Sequence, residues 1–80
     1  MSRLTVLYFA SLRDAAGVAS ESVEASDADL RALYEALRVR HGFVLPAERL
    51  RVAVDGAFAH WTDAPRAGSE VAFIPPVSGG

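Results

Sequence analysis

One helical stripe decides the architecture of this 80-residue chain. Leu30, Leu33, Tyr34 and Leu37 recur at i, i+3, i+4 and i+7, the spacing of an amphipathic helix, among apolar runs that are otherwise short. Burying those four side chains is worth on the order of 6–12 kcal/mol as an upper bound, because unfolded chains are already partly compact. Residues 1–80 make a single domain near the lower limit of what folds unaided. A stripe of that size must therefore pack across a sheet built from the other segments. Cysteine is absent, which removes disulfide staples and thiolate metal sites. The hydrophobic content of 51% supplies a core and argues against disorder.

The helix has readable ends. Ser26 and Asp29 have the spacing of a capping box, and Asp27 and Asp29 suit a helix N-terminus. Arg38, Arg40 and His41 complement the dipole in the last turn, and Gly42 ends it. Upstream, residues 3–10 are rich in β-branched and aromatic types and read as a strand. Ser11 is expected to cap a short helix that runs through Ala16 and stops at Gly17. Residues 18–25 alternate weakly, with Val23 inward and Glu21 and Glu24 outward, as a second strand beside the first.

Downstream, residues 43–49 with Pro46 form a connection, residues 50–54 a third strand, and Asp55-Gly56 a hairpin turn. Residues 57–61 return as a fourth strand, and residues 62–69 make a loop. Residues 70–74 form the last strand, stopped by Pro75, which has no N–H for the ladder. The order β, β, α, β, β, β describes an α+β sheet with one main helix across it.

The chemistry concentrates in the last six residues, Pro75-Pro76-Val77-Ser78-Gly79-Gly80. The two prolines favour an extended spacer over residues 75–80, and Gly79 and Gly80 carry no Cβ, so the thread passes a narrow channel. The only functional group at its tip is the Gly80 α-carboxylate, ionised at neutral pH. The chain shows no catalytic machinery for it. His41 and His60 have no Cys or second His at ligand spacing and read as cap or surface residues rather than metal ligands. Asp27 and Asp29 belong to a helix start, and neither a Gly-x-Gly-x-x-Gly pattern nor a P-loop is present. Reaction at Gly80 thus requires an enzyme supplied by a partner.

A formal charge of −2 gives no basic footprint for nucleic acid or an anionic membrane. All eight cationic residues are arginines, so this chain offers no ε-amine to a C-terminus, its own or another's. No signal peptide precedes the first periodic segment, and no apolar run approaches the ~18 residues of a membrane helix. A soluble, cytoplasmic protein is the expectation.

Alternation supplies a second functional clue. With Leu4, Val6 and Tyr8 toward the helix, Leu7 and Phe9 lie on the opposite face, as in a central strand covered on both sides. In the last strand Val71 and Phe73 separate from Ala72 and Ile74, which brings Ile74 beside Phe9 at the root of the tail, and Phe58 joins them. Either this apolar face docks a partner, or loops and the Trp61 region cover it.

Tyr8-Phe9-Ala10 followed by Arg13-Asp14-x-x-Gly17, Ala53-Val54 before a turn, and the closing segment from Glu70 to Gly80 form a recognisable set. Over its whole length the chain resembles the small, sulfur-carrier subunit of molybdopterin synthase, the MoaD family. Asp55, Ser69 and Pro65 stand where that family often has Asn, Asp and a nearby Leu, and Ile74 where Phe is frequent.

The resemblance implies a ubiquitin-like β-grasp fold with a mixed sheet. It also implies that an adenylating enzyme related to ubiquitin-activating enzymes uses ATP to join the Gly80 carboxylate to AMP. A sulfur donor then displaces AMP and leaves a thiocarboxylate. The tail through Pro75, Pro76, Val77, Ser78 and Gly79 enters the large catalytic subunit of the synthase. There the sulfur passes to a pyranopterin precursor of the molybdenum cofactor. No cofactor is expected on the chain itself, and Phe9, Phe58 and Ile74 fall where family members meet their partners. Rival readings are a carrier of the thiamine type, against which the Pro-Pro-Val-Ser lead-in argues, a ubiquitin-like modifier of lysines, and a module with an inert tail.

Overall fold

The computed structural model describes residues 2–25 and 28–76. Ser26 and Asp27, and with them the capping box expected at Ser26, lie outside the described residues, as do Val77, Ser78, Gly79 and Gly80. The elements are β1 (Ser2–Tyr8), α1 (Ala10–Ala16), β2 (Ser20–Ala25), α2 (Leu30–His41), a 3-10 turn (Ala47–Arg49), β3 (Arg51–Val54), β4 (Ala57–Ala59) and β5 (Glu70–Ile74). They form a five-stranded sheet in the order β2-β1-β5-β3-β4. The two central strands β1 and β5 run parallel, and every other neighbouring pair is antiparallel. The sheet is therefore mixed, in an α+β fold, as expected.

α2 lies across one face because its stripe has nowhere else to go. Leu30, Tyr34 and Leu37 are buried against Leu4, Val6, Tyr8, Val52, Val71 and Phe73 of the sheet, and Leu33 packs at the margin. Tyr34 anchors the contact: its ring sits 5.1 Å from that of Phe73, and its hydroxyl donates to the Leu45 carbonyl at 2.6 Å. Trp61 stacks on Phe73 with centroids 5.9 Å apart, so the Trp61 region closes the helix side of the sheet. At the far end Gly42 takes φ 74 and its N–H reaches the Arg38 carbonyl, the left-handed cap that glycine adopts without a Cβ penalty.

The N-terminus of α2 carries the expected acid at Asp29. Asp29 itself is the cap, accepting from the Ala32 N–H at 2.9 Å. The Leu30 and Arg31 N–H groups donate to the Asp63 and Trp61 carbonyls, at 2.9 and 3.0 Å. A loop distant in sequence thus satisfies two orphan donors of the first helical turn. Asp29→Ala is expected to cost about 1 kcal/mol in denaturant unfolding. An unchanged midpoint would mean the loop carbonyls suffice.

Other boundaries also shift. β1 ends at Tyr8 rather than at residue 10, because Phe9 is the extended N-cap of α1 and Ala10 turns through φ 50. Ser11 lies inside α1, which has no side-chain cap, so the expected Ser11 cap is incorrect. Gly17 ends α1 as expected, with φ 80. β2 begins at Ser20 and β4 stops at Ala59, each shorter than expected. Pro46 precedes the 3-10 turn, a short element within the expected connection.

Glu21, expected to point outward, turns in. Its Oε1 accepts the Tyr8 hydroxyl and the His41 Nε2, the latter at 2.7 Å. Because a carboxylate oxygen only accepts, Nε2 carries the proton in that contact. His41 packs edge-on to Tyr8 with ring centroids 5.6 Å apart, so it ties α2 to the β1–β2 edge rather than serving only as a helix cap. Burial works to raise the Glu21 carboxyl. The hydrogen bonds from Tyr8 and His41, with the charges of His41 and Arg40, outweigh it and hold the carboxyl below its ordinary value of 4.5. Burial first, then the bond to Glu21 and its negative charge, push the Tyr8 phenol upward.

A depressed carboxyl contributes stability that is present above its unfolded value and lost as pH falls through its folded one. Unfolding free energy is thus expected to decline below pH 4.5. Glu21→Gln should flatten that acid limb, and an identical limb in the variant would exclude Glu21 as its source. Glu21→Ala, which strands the buried Tyr8 hydroxyl, should cost about 1–3 kcal/mol at neutral pH.

Candidate functional site: an open apolar face at the root of the tail

The alternation that buries Val71 and Phe73 sends Ala72 and Ile74 to the face opposite α2. In register, Leu7 of β1 pairs with Ala72, and Ala72 pairs with Ala53 of β3. Ala53 in turn pairs with Phe58 of β4. The two alanines make a low floor, with Phe9 and Phe58 rising from its surroundings and Ile74 at the end nearest Pro75. The result is a shallow cavity of about 280 Å³. Phe9 is 45% and Phe58 69% exposed, which decides the question left open by the sequence. Among the described residues neither loop nor Trp61 covers this face, so the expectation that β1 is covered on both sides is corrected.

The structure thus brings Phe9, Phe58 and Ile74 together around one concavity. Local geometry explains how. Phe9 follows the strand alternation of β1, and the positive φ of Ala10 turns the chain away immediately after it. Such a conformation costs a non-glycine residue roughly 1–2 kcal/mol, so the fold sustains some strain at this corner. Phe58 is carried by a hairpin whose turn residues Asp55 and Gly56 have φ 51 and 87, the pair of positive values that a tight two-residue turn requires. Leu7, Ala53, Ala72, Gly56 and the carboxylate-bearing Glu70 complete the lining and were not assigned to the site from sequence. Alternation in β3 and β5 read together was the signal for Ala53 and Ala72, but it needs the register between the strands.

A second groove of about 440 Å³ continues from the patch along the tail root, with Arg49, Arg51, Pro75 and Pro76 in its wall. Pro75 is half-buried and Pro76 exposed, and the tail residues Val77, Ser78, Gly79 and Gly80 lie outside the described residues. His60 is exposed, its backbone N–H donating to Asp63 Oδ2 at 3.0 Å. Among the described residues no group of three or more His, Cys, Asp or Glu is placed to hold a metal ion. No described helix is long and apolar enough to cross a membrane.

Solved structures match this fold over nearly the whole chain. The crystal structure of the small archaeal modifier protein SAMP1 from Haloferax volcanii matches at 30% identity and a TM-score of 0.80, over 98% of this chain and 99% of that one. A Pyrococcus furiosus protein described as molybdopterin converting factor subunit 1 matches at 29% identity and a TM-score of 0.80, over 96% and 100%. A complex of subunits 1 and 2 of molybdopterin-converting factor from Helicobacter pylori matches at 18% identity and a TM-score of 0.68, over 98% and 99%, a likeness of fold alone. These matches establish the ubiquitin-like β-grasp architecture. Comparison with curated protein sequences returned no match. The ThiS family model, by contrast, aligns with residues 6–80, from the middle of β1 through Gly80. That span includes every residue lining the open face, and the chain belongs to the ThiS family.

Proposed function

We propose that this protein is a sulfur carrier for the dithiolene of the molybdenum cofactor, working through its terminal glycine. An adenylating partner joins the Gly80 carboxylate to the α-phosphate of ATP and releases pyrophosphate. A sulfur nucleophile attacks the acyl carbon and expels AMP, leaving a thiocarboxylate on Gly80. The large subunit of molybdopterin synthase receives the tail, the thiocarboxylate sulfur displaces a leaving group from a carbon of a pyranopterin precursor to give an acyl thioester, and hydrolysis of the acyl–sulfur bond leaves the sulfur on the precursor. Water restores the carboxylate. The observation that carries this reading is the open apolar face that runs into Pro75 and Pro76. A partner seated there is positioned to draw the terminus into its own active site. The absence of cysteine fits a cargo held on an acyl carbon rather than on a thiol.

A second reading has its own support. The 30% identity to an archaeal modifier protein favours conjugation of Gly80 to amines of other proteins through the same adenylate. Intact-mass measurement on protein from its native cells separates the two. A gain equal to exchange of one oxygen for sulfur supports the carrier, and covalent adducts with other proteins support the modifier. Reconstitution with the purified large subunit and precursor then tests the pathway. Thiocarboxylated protein that yields no molybdopterin would exclude it and leave a carrier of another route, such as the thiamine type.

A further inference from the structure

Arg51 gives the apolar face a sign at the end where the tail departs. It pairs in register with Ile74, the last residue of β5. Its guanidinium carbon lies 5.3 Å from the centroid of the Phe58 ring, within cation–π range, so this exposed charge stands over the face. Arg49 borders the same groove beside Pro75 and Pro76. Glu48, the carboxylate in that groove, is engaged by Arg31 of α2. Among the described residues neither Arg49 nor Arg51 has a carboxylate within ion-pair distance. The opposite end of the face is acidic: Asp55 Oδ1 accepts the Glu70 N–H at 2.9 Å, and both side chains are exposed. The face therefore runs from cationic at the tail root to anionic at the hairpin, on a chain of net charge −2.

We infer that this polarity orients docking: the protein that receives the tail presents carboxylates at the mouth of its channel, opposite Arg49 and Arg51, around an apolar pad. The inference rests on the reading that a partner receives the tail, and adds the chemistry of the surface around the entrance. A phosphate at the reacting terminus is not the occupant. Six residues from Pro75 to Gly80 span up to ~20 Å when extended, which carries an adenylate at Gly80 far from the two arginines once the tail is threaded away. Charges at the rim of an apolar interface act mainly on the encounter rate and on register, and they weaken with salt.

The test is the association rate of full-length protein with purified large synthase subunit, at low and high salt, for the wild type, Arg51→Glu, Arg51→Gln and Arg49→Glu. Arg51→Glu is expected to slow association about 10-fold at low salt, with the gap closing at high salt and Arg51→Gln falling between. Arg51→Gln keeps the comparison valid if the charge reversal disturbs folding. Equal rates and equal salt responses in all four, with sulfur transfer intact, overturn the inference while leaving the carrier reading in place. Failure of the wild type to bind the large subunit removes that reading and the inference with it. Self-association in sedimentation that Arg51→Glu abolishes would seat a second copy on this face and also overturn it.

Discussion

Removing Gly79 and Gly80 is expected to abolish thiocarboxylate formation and molybdopterin synthesis, while unfolding free energy changes by roughly 0.5 kcal/mol or less. The two effects separate because the tail follows the Pro75-Pro76 break beyond β5, and neither glycine has a side chain to add to the core. What the deletion removes is position. A new terminus at Ser78 ends the chain two residues short, and Val77 and Ser78 bring side chains into a passage meant for a bare backbone. Gly80→Ala isolates the second factor, since it keeps the carboxylate and adds one methyl group at the reacting end. It should fold normally and be activated or discharged poorly. Molybdopterin synthesis by the doubly deleted protein with purified partners would show that the sulfur travels elsewhere.

A charge placed in the open face should be nearly as damaging to function. Phe9→Asp or Ile74→Asp is expected to weaken binding to the large subunit by about 2 kcal/mol or more, roughly 30-fold in Kd, because central apolar anchors dominate such interfaces. A carboxylate at position 9 would have to be desolvated beside a floor of Ala53 and Ala72, whereas one at position 74 would stand opposite Arg51 in register. Phe9 is the cleaner probe, being 45% exposed in the free protein, so its replacement leaves the core on the helix side untouched. Calorimetry giving wild-type affinity for both variants would remove this face from the interface.

The parts legible in the sequence were those set by local period. The α2 stripe, the Asp55-Gly56 turn, the stop at Pro75 and the inward set Leu4, Val6, Tyr8, Val71 and Phe73 all follow from spacing along one segment. Alternation put Phe9 and Ile74 on one face, and Phe58 was added to them as a residue of the hairpin's return strand and through the family resemblance. What escaped depended on contacts between distant segments. Asp29 caps α2 in concert with carbonyls at Trp61 and Asp63, some thirty residues on. Glu21 looks like an outward strand residue until Tyr8 and His41 supply two donors to one oxygen. Arg51 looks like a solvated strand end until β4 lays Phe58 beneath it. Ala10 reads as a good strand neighbour, and only the need to leave β1 and enter α1 at once gives it a positive φ.

The parallel pairing of β1 with β5 carries a mechanical consequence. β5 is the middle strand of five, hydrogen-bonded along both edges, and the tail continues directly from its end. A partner that pulls on the tail loads β5 along its own axis. The ladders to β1 and β3 then share the force as a set of bonds in shear, rather than opening one after another as at a peeled edge strand. The pull also ends on Val71 and Phe73, both wedged under α2, which act as barbs against sliding. A chain built this way withstands tension at its terminus, with the strand that bears the load being the one the fold grips hardest.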